Sequence, residues 1–190
     1  MHYLTRQIAF EASHYYRIPE LSDEENYALF GATANPNSHG HNYVLEVTIK
    51  GKVNPENGMV INIAVLDRLL RDQIIASYDH KHINIQHPIF ANQPHLQPTS
   101  ENLVIQMWRA IEHSPPPLRF ASPPTWEGGR GGAVLHRVRL HEDSALFADY
   151  YGEEQMVYLT KVYEFSASHR LHSPHLNDAE NREVFGKCNN

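Results

Sequence analysis

Apolar and polar side chains alternate loosely over residues 3–12, carried by Tyr3, Ile8 and Phe10, and cleanly over 42–51 (NYVLEVTIKG), which predicts two strands. Between them, Ser22 and Glu25 have the spacing of a capping box, so a short helix is expected over 22–30. Asn-Pro-Glu-Asn-Gly at 54–58 is turn chemistry, and a hairpin partner for the second strand is expected to end near 59–61. From Ile63 to about Tyr78, Leu66, Leu69, Leu70, Ile74 and Ile75 recur at helical spacing, with Asn62 as N-cap. A second such helix fits 100–113, opened by Thr99 or Ser100. The Pro- and Gly-rich run 113–132 reads as a long surface loop, and strands at 133–141 and 144–151 would close the unit. The order strand, strand, helix, helix, strand, strand indicates an α+β fold, an antiparallel four-stranded sheet with two helices on one face.

Shifting the chain against itself by 155 positions aligns Tyr3–Asn35 with Tyr158–Asn190 without a gap, and 15 of the 33 pairs are identical. They include Phe10 with Phe165, Ala-Ser-His at 12–14 with 167–169, Asn26 with Asn181, and Phe30-Gly31 with Phe185-Gly186. The expected organisation is therefore a complete unit over 1–155, followed at 156–190 by the opening of a second copy that stops where the first continues into His-Gly-His-Asn-Tyr. A strand over 158–168 would lack its normal hairpin partner, and should fray or add to an edge elsewhere.

Composition narrows the functional classes. With 16 Lys+Arg against 22 Asp+Glu the formal charge is −6, so there is no general basic field for nucleic acid or an anionic membrane. No stretch approaches the roughly 18 apolar residues of a membrane span, and residues 1–10 lack a signal peptide's pattern, so a cytoplasmic location is expected. The single cysteine, Cys188, excludes an internal disulfide and any zinc site with several thiolates. A metal would have to be held by some of the 14 histidines.

His39 and His41 flank Gly40 at the mouth of a predicted strand, and side chains two apart on a strand share a face. If strand 3–12 lies beside strand 42–51, His14 supplies a third nitrogen and leaves zinc's fourth position open to a substrate oxygen. Taken alone, His-Gly-His is accounted for at least as readily by an exposed turn. Asp79-His80 likewise suits a surface pair at a helix end as well as a catalytic one. Thr99, Ser100 and Glu101 suit an N-cap and first turn.

The ordered set FEASH (10–14), LSDEENYALFG (21–31), ANPNSHGHNY (34–43), NPENGMVINIAVL (54–66), DHK (79–81), TSEN (99–102) and VRLHED (138–143) resembles the 6-pyruvoyl-tetrahydropterin synthase family, whose wider relatives include 6-carboxytetrahydropterin synthase. The second copy, FSASHRL then FGKCNN, is similar to it as well. The resemblance implies a tunnelling fold (T-fold), whose subunits join their sheets into a barrel as a homo-oligomer, a trimer or hexamer. It also implies zinc held by His14, His39 and His41, a reduced pterin triphosphate (dihydroneopterin triphosphate) as substrate, and Asp79 and His80 as the catalytic pair. Glu142 matches the pterin anchor, since a carboxylate accepts two parallel bonds from the ring's guanidine-like edge. Thr99, Ser100 and Glu101 match the lining of that pocket.

One position departs from the pattern. Thr33 stands where the family carries a cysteine, while Cys188 keeps that cysteine in the second copy. A thiol near its usual pKa of about 8.5 is readily driven to thiolate, whereas an aliphatic alcohol is not. Three expectations follow: a pterin synthase-like lyase, a zinc- and pterin-binding module with impaired turnover that partners an active second copy, or an enzyme in which aldolase-like chemistry on the same class of substrate dominates.

Overall fold

The computed structural model describes residues 1–114, 133–153 and 156–189. The expected loop at 113–132 falls almost wholly outside them. Its elements are β1 (His2–His14), α1 (Asp23–Phe30), β2 (His39–Gly51), α2 (Ile63–Leu70), α3 (Ala76–Tyr78), β3 (Lys81–His82), α4 (Ile83–Gln86), α5 (Pro88–Asn92), α6 (Ser100–Glu112), β4 (Val134–His141), β5 (Leu146–Tyr150), β6 (Val157–Lys161) and α7 (Asp178–Phe185). The four expected strands form the middle of one sheet. The sheet is nonetheless six-stranded, ordered β3-β1-β2-β4-β5-β6.

The expectation of four strands fails at both edges. At one, Lys81 and His82 pair in parallel with Ala12 and Ser13. At the other, Val157–Lys161 pairs antiparallel with Leu146–Tyr150. A two-residue strand has no period to read, and β6 belongs to the segment expected to fray or to add to another edge; it adds to an edge. The hairpin partner at 59–61 does not form. Residues 54–59 instead close a turn through Asn54 N–H to Met59 O (2.9 Å) and Gly58 N–H to Asn54 O (2.8 Å).

The expected helix 63–78 is present but interrupted. A π-helical turn at Arg71–Ile75 separates α2 from α3, and Asn62 caps the start through Ala64 N–H. Thr99 caps α6 and Ser22 and Glu25 form the reciprocal capping box of α1, as their spacing predicts. Among the described residues no helix is long and apolar enough to cross a membrane.

The long β1–β2 ladder runs from His2 opposite Gly51 to His14 opposite His39. Phe10 and Ala12 of β1, Tyr43 to Ile49 at odd positions of β2, and Val138 and Leu140 of β4 face the helices, and α2 and α6 bury Leu66, Leu69, Leu70, Leu103, Met107 and Ile111 against them. The other face is polar. There Arg137 meets Glu46 at 2.8 Å and Arg139 grips Asp149 with two bonds of 2.8 Å. Past β5, Gly152 adopts φ +81°, and a Cβ there would overlap the Trp108 ring, so the turn requires glycine.

Candidate metal centre and active site

The β1–β2 register sets His14 directly opposite His39, and strand alternation puts His41 on the same face. The ring centroids of His14, His39 and His41 lie 4.5, 5.1 and 5.0 Å apart pairwise. The fourth group comes from across the sheet: Glu142, just past β4, brings its Oε1 to 3.3 Å from His41 Nε2 and 4.0 Å from His14 Nε2. One ligand atom from each of the four residues falls within 4.8 Å of the others.

The protonation states suit a cation. His14 is fully buried, and desolvation drives its pKa down to about 3, so its ring is neutral. Its Nδ1 lies 2.8 Å from Pro98 O, which selects the tautomer with Nδ1–H donating and leaves the Nε2 lone pair directed at the cluster. Burial lowers His39 in the same direction. Both ring nitrogens of His39 and Nε2 of His41 are buried without a hydrogen-bond partner. Buried polar atoms normally find partners, so orphaned nitrogens on two of three clustered imidazoles beside a carboxylate fit a bound divalent metal.

Ser100, at the start of α6, donates its hydroxyl to Glu142 Oε2. It therefore does more than open a helix. Thr99 caps α6 through Asn102 N–H (3.4 Å), and Glu101 lies close enough to Tyr16 to act on its phenol electrostatically. Asp79 and His80 sit between α3 and β3. Asp79 accepts Glu11 N–H at 3.0 Å and lies 2.9 Å from His80 Nδ1, and His80 is held at φ 55° by donating its own N–H to Glu11 O (2.7 Å). The Asp79 hydrogen bond and charge raise the His80 pKa above the usual imidazole range, and the Glu11 N–H bond, followed by the His80 bond, lowers that of Asp79. A depression of about 490 Å³ is lined by His80, Glu11, Ser13 and Asn42 and touches the cluster only at His41.

Thr33 is half-buried on the turn after α1, where its Oγ1 donates to Phe30 O at 2.6 Å and its carbonyl accepts Tyr16 N–H at 3.0 Å. Cys188 is exposed in the repeated segment and, among the described residues, is not drawn into the cluster. Its carbonyl accepts Leu171 N–H (2.7 Å), the same bond one repeat later.

Residues missed by sequence reasoning complete the wall. The Tyr16 ring stands 5.0 Å from His14 and 6.1 Å from His39, and burial with the nearby Glu142 and Glu101 charges pushes its phenol pKa up. Tyr43 is fully buried, with its hydroxyl 3.5 Å from both ring nitrogens of His14. Each lies two residues from a cluster histidine, so strand alternation was the signal that pointed to them. Glu11, whose Oε2 is 3.8 Å from His80 Nε2, carried no such signal.

Comparison with known proteins agrees with this geometry. The family profile described as 6-pyruvoyl tetrahydropterin synthase matches residues 3–153. The human 6-pyruvoyl tetrahydrobiopterin synthase is 35% identical over 150 residues, covering 79% of this chain and 91% of that protein. The 6-carboxy-5,6,7,8-tetrahydropterin synthase of Rickettsia typhi is 30% identical over 119 residues, 56% of this chain and 78% of that protein. The solved structure of Caenorhabditis elegans 6-pyruvoyl tetrahydropterin synthase superposes with a TM-score of 0.65 at 29% identity, covering 80% of this chain and 95% of that one. With a profile match over residues 3–153, a relative 35% identical over 150 residues, and a shared T-fold, this chain belongs to the 6-pyruvoyl tetrahydropterin synthase family.

Proposed function

We propose that the first unit is a zinc-dependent pterin synthase-like lyase that acts on dihydroneopterin triphosphate to give a 6-substituted tetrahydropterin. The observation that carries this reading is the set of orphaned imidazole nitrogens beside Glu142 in a chain of this family. His14, His39 and His41 would hold the zinc. Bound there by three neutral ligands, the ion would supply Lewis acidity to substrate side-chain hydroxyls.

The remaining roles belong to the chain's own groups. Glu142, oriented by Ser100, accepts the N–H donors of the pterin edge, with Thr99 and Glu101 bordering the ring. His80, fixed by Asp79, exchanges protons with the substrate side chain. Asp79 raises its pKa and so favours the protonated form that hands a proton on. A cytoplasmic setting is proposed with this activity. The trimer or hexamer expected of the family is proposed for units whose β5 edge is open to a neighbour, an edge that β6 occupies here.

Two observations favour narrower readings. The Thr33 hydroxyl is committed to Phe30 O and is no substitute for a thiolate, which supports a module that binds zinc and pterin but turns over slowly, with Cys188 serving the second copy. Glu142 Oε1 at 3.3 Å from His41 Nε2 supports a carboxylate that also ligates the metal.

The decisive experiment measures zinc stoichiometry and turnover of dihydroneopterin triphosphate for the wild type and His41→Ala. One zinc per chain, lost in the variant together with turnover, is the expected result. Full zinc occupancy in His41→Ala would overturn the ligand assignment, and zinc binding without any pterin product would leave the module reading standing instead.

A further inference from the structure

The strand on the outer edge of β5 is a sequence copy of β1. At the repeat offset, Tyr158-Leu159-Thr160 equals Tyr3-Leu4-Thr5, and Lys161 stands for Arg6. Two features of its pairing match a joint between successive units.

The first is the layer in which each side chain lies. Leu159 sits opposite Ala148, which is fully buried on the helix-covered face, and Leu4 packs on that same face in β1. Tyr158 sits opposite Asp149 on the polar face, where alternation also puts Tyr3. Equivalent residues therefore keep equivalent layers.

The second is register. Following partners across the sheet leads from Arg6 to Val47, Val138, Tyr150 and then Val157, which the offset maps onto His2. Four strand-to-strand steps thus shift the register by four residues. A sheet continued by this rule has a shear equal to its strand number, and a rise of about 3.3 Å with a spacing of about 4.8 Å then gives a strand tilt of about 35°. That lies within the range of closed barrels.

The complementary edge is present on the chain itself. Among the described residues the outer side of β1 is paired at Ala12 and Ser13 and its Glu11 backbone is held by Asp79 and His80, leaving His2–Phe10 for another strand. A second copy of the chain can offer that edge to β5 in the same register. Its competitor is β6, tethered to β5 by the six residues 151–156, and so short a link corresponds to an effective concentration in the millimolar range.

Given that subunits of this fold join their sheet edges into a barrel, we propose that residues 157–161 hold the β5 seam within the chain in place of β1 from a second copy. The exchange is like for like in side chains, so the tether decides it. At micromolar concentration first units do not close a ring through β5 unless β6 is released.

Disulfide trapping in the full chain, with Cys188→Ser to remove the native thiol, tests this. Leu146 lies opposite Lys161, whose counterpart in the first unit is Arg6. Leu146→Cys with Lys161→Cys should give an intrachain disulfide under mild oxidation. Leu146→Cys with Arg6→Cys should give only background cross-linking between chains. Val162 N–H donates to Ala145 O at 2.7 Å, so by antiparallel alternation Thr160 N–H also faces β5, and Thr160→Pro breaks the ladder. That substitution should raise interchain cross-linking of the 146/6 pair about a hundredfold and produce association in sedimentation. Tyr158→Gly, Leu159→Gly and Thr160→Gly together release β6 without proline and should do the same. Interchain cross-linking of the 146/6 pair with β6 intact would show that the chain does not hold its own seam. Absence of cross-linking and association in both released variants, with native circular dichroism, would show that this edge is not a seam.

Discussion

Glu142→Gln separates the two tasks that the structure suggests for one carboxylate. The side chain is 8% exposed, accepts the Ser100 hydroxyl at Oε2, and aims Oε1 at His41 Nε2 from 3.3 Å. Glutamine keeps the shape and one acceptor but replaces the other oxygen with an N–H₂ donor. If Oε1 and Oε2 both receive pterin N–H groups, the variant loses one charge-assisted bond and opposes a donor with a donor. Bonds to charged groups contribute about 1.5–3 kcal/mol each, so pterin affinity should fall roughly 10- to 150-fold. Zinc content should then be unchanged, because three imidazoles remain. If the carboxylate is instead a metal ligand, zinc affinity falls first and pterin affinity only as a consequence. Calorimetry with a reduced pterin analogue, alongside elemental analysis of the same samples, distinguishes these outcomes. Apo-protein melting adds a control: without metal the variant should melt no lower than wild type, because the buried carboxylate faces imidazoles and no fixed cation. Unchanged zinc and unchanged pterin affinity together would refute any role for Glu142 in the site.

Other substitutions test the remaining steps. Thr33→Cys should raise turnover, since a missing general base costs on the order of 10²–10⁴-fold; no change there together with loss of rate in Cys188→Ala would assign the working thiol to the repeated segment. His87, buried between Tyr78 and Phe90 with its pKa lowered by burial, takes up its proton in the unfolded chain near pH 6.5 but in the folded chain only at lower pH. Its neutral form supports the fold above pH 6.5, that support is lost as the pH falls, and His87→Phe should flatten denaturant-midpoint curves between pH 7 and 5. Gly152→Ala forces a Cβ into Trp108 at positive φ and should destabilise by about 2–4 kcal/mol in urea unfolding. A midpoint equal to wild type would mean that the turn and the indole part without cost.

The sequence carried the middle strands, the caps and the His39–His41 pair, because each depends on residues a few positions apart. Ser22 with Glu25, Thr99 before α6 and His39 with His41 are all of this kind. It could not supply the edges, since β3 is two residues long and β6 is defined only by what it pairs with. Nor could it place Glu142, which reaches the histidines only because β4 lies beside β2.

The repeat separates the two kinds of information within one molecule. Asn26 and Asn181 are both fully buried, and each binds the equivalent backbone groups: Ile18, Leu21 and Ser22 in one copy, Ser173, Leu176 and Asn177 in the other. The same short sequence folded the same way twice, because all its partners lie within eight residues. Phe10 and Phe165 also match, yet one is 3% exposed and the other 90%. Phe10 is covered by Tyr43 and Tyr78, and His14 is buried with His39 and His41 across the β1–β2 ladder; Phe165 and His169 have no such neighbours among the described residues. Local hydrogen bonds close within a segment, whereas burial needs surfaces brought from distant parts of the chain, and so the burial of Phe10 and His14 and the approach of Glu142 to the histidines were decided by tertiary structure.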